Sequence, residues 1–289
     1  MVSPRRLLLS SPFPVVMPLA TACGYLVVGA GPWCSVFALV TSRSSFLVLL
    51  TFASSFYYLV VLLLAALPLR PFMPLAPSAG SYFAFALFTC VVKEVMRYAL
   101  FRMFRKGVTA LEDSVASGQL AEQAATDGVS VRGGLLPSDY VKLSLAVGQG
   151  YGLGHFFFFF LSVLSLTLGD GTWYGDRCPE MSLFTILAVL ALAYSMIHAG
   201  ATVVAFHRGY GSGWEGARVR EIRARGVDWT YAGIVFAGEL VASLFFLVNF
   251  AHGGCTWGVP LTLLCGVAFA LWGLVEARRV VAALTLTLH

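Results

Sequence analysis

Seven long apolar runs decide what this chain can become. They lie at roughly 15–40, 45–67, 79–101, 141–168, 181–206, 229–250 and 257–275. A helix needs about 20 predominantly apolar residues to cross the hydrocarbon core of a bilayer. Within hydrocarbon the backbone must satisfy its own hydrogen bonds, and for runs of this length only helices do so. Composition agrees: 58% of the residues are hydrophobic and 11% are charged, against about 25% charged in a soluble domain. The expected fold is all-α, a polytopic membrane protein built as a bundle of seven transmembrane helices. The expected organisation is an N-terminal extension over 1–14, a membrane domain over 15–284 and a short tail over 285–289. The longest polar segments, about 102–140 and 207–228, are expected as loops. Arg70 and Pro71, with Pro68, Pro74 and Pro77, separate the second run from the third.

Basic residues orient the bundle, because loops rich in Lys and Arg stay in the cytosol. With seven spans, the side of the N-terminus carries Arg5, Arg6, Arg70 and Arg177, and the other side carries thirteen Lys and Arg residues. The N-terminus is therefore expected outside or in the lumen, and the C-terminus and both long loops in the cytosol. The opening "MVSPRRLLLS" has the basic start and apolar run of a signal peptide, but Pro12, Pro14 and Pro18 interrupt the run. It is read as an uncleaved extension. The net charge of +5 comes from residues in short loops between apolar runs, so nucleic acid is not an expected partner; the lipid bilayer is.

In "AVGQGYGLGHFFFFFL", Ala146 to Leu161, four glycines fall on alternate positions before a histidine and five phenylalanines. At 3.6 residues per turn, Gly148 and Gly152 share one face of a helix, while Gly150 and Gly154 share a second, about 160° away. Helices in lipid associate through close packing at small residues, as in GxxxG. Both strips could serve neighbours in the same chain. The doubled spacing favours one internal and one external neighbour, with the phenylalanines filling space where the neighbours splay apart.

Ionisable residues inside a span are costly and mark function or pairing. Lys93, Glu94 and Arg97 lie in the third span near its cytosolic end. Lys93 and Arg97 share a face and are expected to snorkel to the interface, with Glu94 pairing to Arg97 one turn on. His198 in the fifth span and Glu239 in the sixth lie at matching depths, and a bond between them would relieve an isolated carboxylate. They are expected to meet as a buried pair. Two readings of that pair stand: a polar clip that sets helix register, favoured because two residues do not complete a metal site, and a catalytic or metal pair with His155 or His207 as further ligands.

The six cysteines show no metal-ligand spacing, and neither a metal nor a cofactor is expected. Cys178 and Cys255 fall in loops on the oxidising side, where disulfides persist, and are expected to bridge.

Several of these features together resemble the anterior-pharynx-defective (Aph) family, the scaffold subunit of γ-secretase. "KEVMRYALFRMFRKGVTALED", from Lys93, is similar to that family's Glu-Val-Phe-Arg stretch running into a basic loop. "GPW" at Gly31–Trp33 matches a Gly-Pro in its first span, and Gly148 and Gly152 match the first two glycines of its GxxxGxxxG motif. "GDGTWYGDRCPE" resembles its lumenal loop, and "MIHAGATVVAF" places His198 on the histidine of its fifth span. Two positions depart: Phe156 stands at the third glycine and Glu239 at the histidine of the sixth span. The resemblance implies a non-catalytic scaffold that assembles presenilin, nicastrin and the presenilin-enhancer subunit. It implies residence in the endoplasmic reticulum, the Golgi and the plasma membrane, and a part in intramembrane proteolysis such as Notch signalling.

The rival reading is an enzyme. The Aph family is distantly similar to glutamate-type proteases that process prenylated tails, whose pattern is Glu-Glu-x-x-x-Arg, Phe-x-x-x-His and a further His. Here Val92 and Lys93 stand at the two glutamates before Arg97. Tyr194 to His198 fits the middle element, and Glu239 stands at the last histidine. No catalytic residue is therefore assigned.

Overall fold

A computed structural model describes residues 16–69, 79–116, 137–164, 174–175, 178–210 and 227–287. The N-terminal extension, residues 117–136 and 211–226 of the two long loops, most of the loop after Leu164, and Asp127, Asp170 and Asp176 lie outside the described residues.

The described residues form seven long helices, α1 (Val16–Leu39), α2 (Ser45–Leu69), α3 (Ala79–Ala116), α4 (Pro137–Phe156), α5 (Leu183–Val204), α6 (Trp229–Val248) and α7 (Cys255–Thr287). A two-stranded antiparallel hairpin, β1 (Tyr174–Gly175) and β2 (Cys178–Ser182), precedes α5. Five of the helices contain segments long and apolar enough to cross a membrane: Ala20–Arg43, Ser45–Leu67, Leu183–Gly209, Trp229–Val248 and Cys255–Ala282. The fold is thus an all-α polytopic membrane protein. The expected third and fourth spans correspond to α3 and α4, which are not in that set. Lys93, Glu94 and Arg97 interrupt the apolar run of α3, and that of α4 is diluted by glycines, Gln149 and His155.

Two helices run well past their expected ends. The third helix continues to Ala116, through the start of the expected 102–140 loop, and α7 runs on to Thr287, into the expected tail. Apolar patterning marks where a helix must be buried, and it does not stop the hydrogen-bonded ladder from continuing into water. Local chemistry sets two starts. The Ser182 side chain accepts from Thr185 N at 3.2 Å to cap α5, and Asp228 accepts from Thr230 N at 3.0 Å to cap α6.

The fourth helix lies between α2 and α5, and α5 packs in turn against α1 and α7. The sixth helix joins α3 to α7. The span through α5 is the most enclosed of the five and α1 the least. Beyond α4 the turn widens to a π-helical segment, Phe157–Leu161. Phe156 and Phe160 turn inward, their rings 5.2 Å apart, and pack with Ala188 and Ala191 of α5. Phe157, Phe158 and Phe159 are exposed, although the Phe159 ring also covers His155, so the phenylalanine run fills space only in part. A Cys178–Cys255 disulfide, with Cα atoms 6.0 Å apart, ties the hairpin to the start of α7.

Candidate functional site: a glycine clasp and a buried charge network

The four glycines set how closely α4 is held. A Cβ on Gly148 would lie 2.8 Å from Ala199 Cα, and one on Gly152 would lie 3.1 Å from Ser195 Cα, both on α5. On the other face, a Cβ on Gly150 would overlap Ser54 Oγ and Thr51 O, and one on Gly154 would lie 2.8 Å from Tyr58 Cδ1, all on α2. The external neighbour expected for one strip is therefore corrected: both strips are occupied within the chain. Two strips about 160° apart serve a helix in the middle of a layer as well as one at an edge. Phe156, the departure from the family's third glycine, is buried and closes this end of the clasp. Its ring reaches Gly29 of α1, where a Cβ would lie 3.5 Å from Phe156 Cε2.

Alongside the clasp, α3 presents one continuous buried stripe: Ala86, Cys90, Lys93, Arg97 and Phe101. The steps of three and four residues put all five on one helical face. That face meets α6. Glu239 of α6 is 2% exposed and accepts from Arg97, which is 0% exposed, while Lys93 Nζ lies 3.4 Å from the second carboxylate oxygen. Arg97 also donates to Glu94, and Glu94 accepts from the hydroxyl of Tyr210, which caps the π-helical turn Ala205–Gly209 that follows α5. Two cations and two carboxylates thus balance in one buried network, with its acceptors engaged. This corrects the snorkelling expected of Lys93 and Arg97. Both point into the bundle, because the stripe that carries them is the packed face of α3.

His198 has a different partner from the one expected. Its Nε2 lies 3.3 Å from the Tyr58 hydroxyl, and that hydroxyl lies 3.4 Å from His155 Nδ1. The rings of Phe159 and Tyr194 each stack on His155 at 4.4 Å. His198 Nδ1 has no hydrogen-bond partner among the described residues. The direct His198–Glu239 bond is therefore corrected. Matching depth brings the two into one polar region, but a buried carboxylate is best compensated by a cation, and α3 supplies two. Tyr58 joins the histidines instead, and a tyrosine in the apolar second span carries no signal that distinguishes this role from packing.

Sequence reasoning also missed a second buried carboxylate. Glu276 of α7 is 2% exposed and accepts from Arg208 Nε at 2.8 Å and Arg279 at 2.9 Å. The spacing of Glu276 and Arg279, three apart, was the available signal. Next to it, His207 Nε2 lies 3.2 Å from Ser144 Oγ. For a metal, one group of ligating side chains comes together among the described residues: Cys178, Glu180 and Cys255. Its two sulfurs are already bonded to each other.

The profile of the family described as Aph-1 protein matches residues 20–279. A curated relative from Arabidopsis thaliana, "Gamma-secretase subunit APH1-like", is 34% identical over 249 residues, 86% of this chain and 89% of the relative. Its length is thus matched almost throughout, and the region matched by the family profile includes the glycine clasp, the α3 stripe and the positions of His198 and Glu239 on α5 and α6. The chain belongs to the Aph-1 family.

Proposed function

We propose that this chain is the non-catalytic scaffold subunit of a γ-secretase-type intramembrane protease. In this reading α3 and α4 span the membrane with the other five helices, the N-terminus faces the lumen or outside, and the C-terminus faces the cytosol. The chain holds presenilin, nicastrin and the presenilin-enhancer subunit by helix packing, in the endoplasmic reticulum, the Golgi and the plasma membrane.

The observation that carries this reading is the engagement of the carboxylates inside the bundle, Glu239 and Glu276 buried and Glu94 part-buried. Glu94 and Glu239 are held by Arg97, Lys93 and Tyr210, and Glu276 by Arg208 and Arg279. A general base needs a carboxylate free to take a proton from water, and an ion-paired carboxylate in a closed network is poorly suited to that work. The described aspartates near the bundle, Asp139 and Asp228, stand at the starts of α4 and α6. Family membership and the name of the Arabidopsis relative support a place in the protease complex.

The test is affinity purification of the tagged full-length chain in mild detergent, with identification of what co-purifies. A presenilin, a nicastrin and the presenilin-enhancer subunit should appear. Proteolysis by the purified chain alone would instead favour the glutamate-type enzyme.

A further inference from the structure

A groove of about 380 Å³ between α1, α4, α5 and α7 lies outside the charge network and shares Ser195 and Ala199 with the clasp. Its walls are mostly apolar, among them Trp33, Leu145, Met196, Ala270 and Leu274. Two polar side chains line it. Ser195 Oγ donates to Ala191 O at 2.8 Å. Gln149 is 2% exposed, its Oε1 accepts from Thr41, and its backbone oxygen accepts from Trp33 Nε1 at 2.8 Å. Its Nε2 has no partner among the described residues. A buried N–H donor without an acceptor is costly and rare, so the groove is an apolar channel with one unpaired donor buried in a residue of its wall.

The position of that donor narrows the ligand. Thr41 belongs to the turn between α1 and α2, two residues from the exposed Arg43. Side chains on a helix lean towards its N-terminus, which brings the Gln149 amide towards the end of α4 that carries Lys142. The groove ends at Val141 and Ala277. Beside them in sequence are Lys142, between the lining residues Val141 and Leu145 and paired with Asp139 at 3.0 Å, and the exposed Arg278, just past Ala277. Basic clefts between helices at a membrane surface suit anionic headgroups.

We propose that this groove holds one acyl chain of an anionic glycerophospholipid. The ester carbonyl accepts from Gln149 Nε2, and the phosphate faces Arg278 and Lys142. A partner helix would fill the apolar walls equally well but would leave Arg278 without a counter-charge.

The full-length chain, purified in mild detergent, is reloaded with phosphatidylserine or phosphatidylcholine and weighed intact by native mass spectrometry. One phosphatidylserine should stay bound per chain, and phosphatidylcholine should be retained less. Gln149→Leu should lower phosphatidylserine retention by up to about tenfold, the effect of one hydrogen bond. Ala277→Phe, at the half-exposed mouth, should abolish retention, and Arg278→Gln should remove the preference for phosphatidylserine. Formation of the Cys178–Cys255 disulfide, at the far end of α7, reports correct folding of each variant. If Gln149→Leu does not fold, the two variants at the mouth decide the matter. Equal retention of the two lipids, no retention by the unaltered chain, or retention undiminished by Ala277→Phe overturns the proposal.

Discussion

Arg97 of α3 and Glu239 of α6 form an ion pair in which neither side chain reaches solvent, at 0% and 2% exposure. Each has a second partner: Glu94 for Arg97, and Lys93 for Glu239. Removing one member of such a network leaves an uncompensated charge, which costs more than the intact pair contributes.

Glu239→Gln should therefore be strongly destabilising, on the order of 3–5 kcal/mol, because Lys93 and Arg97 then face only Glu94. Arg97→Met should be comparably severe. The double variant should be milder than either single change, since Lys93 and Glu94 remain as one cation and one anion. Thermal unfolding in mild detergent across all four versions measures this. Additive losses would show that the network does not act as a unit.

A hydroxyl shared by two imidazoles couples Tyr58 to His198 rather than Glu239 to His198. Tyr58→Phe and His198→Ala should thus be non-additive in a double-mutant cycle. His198→Ala with Glu239→Ala should come closer to additivity, because the hydrogen bonds of those two residues go to Tyr58 and Arg97 instead. The same unfolding assay reads both cycles. A large coupling in the second cycle with none in the first would reverse the assignment.

Much of this was legible in the sequence, and the parts that were not have a common cause. Helical periodicity tells which residues share a face, so residue spacing alone reveals the two glycine strips of α4 and the Lys93–Arg97 face. It does not tell which helix lies opposite. Both strips close on α2 and α5 of the same chain, and the charged face of α3 turns to α6 instead of the interface. Depth along a span is also readable, and it placed His198 and Glu239 at one level. Direction around each helix was not, so the cations of a third helix went unnoticed as the partners of Glu239. Tyr58, Gln149 and Glu276 gave still less warning. Each is an unremarkable polar residue in or beside an apolar run, and its role depends wholly on what the bundle brings to it.

The disulfide between Cys178 and Cys255 closes a loop of 77 residues in sequence and fixes the hairpin against α7. Its removal by Cys178→Ala with Cys255→Ala should lower stability by about 2–4 kcal/mol, the usual range for a native bridge. The unfolding midpoint of the double variant should match that of the unaltered chain under reductant. A reductant-sensitive midpoint in the double variant would show that another thiol accounts for the effect.

The glycines of α4 allow the most graded test, because the space around each one differs. At Gly150 a methyl group would collide with the Thr51 carbonyl and the Ser54 hydroxyl of α2, and backbone cannot step aside cheaply. At Gly148 the obstacles are Ala199 Cα and the His198 carbonyl, at 2.8 and 2.9 Å. At Gly152 the nearest atom is Ser195 Cα at 3.1 Å, a tight contact that a few tenths of an ångström of movement relieves. Gly24 of α1 and Gly233 of α6 have open space around them. Alanine substitution should therefore cost most at Gly150, less at Gly148 and least of the three at Gly152. The first two should fall in the range of about 1–3 kcal/mol typical of overpacking. At Gly24 and Gly233 the same change should be neutral or slightly stabilising, because alanine is the better helix former by roughly 1 kcal/mol. Gly152→Leu should lower the folded yield of the isolated chain itself, since the strip it blocks faces α5 and no outside partner. Midpoints of thermal unfolding in one detergent would rank the five alanine variants. A Gly152→Leu chain that folds normally but loses its partners would return the strip to an external neighbour.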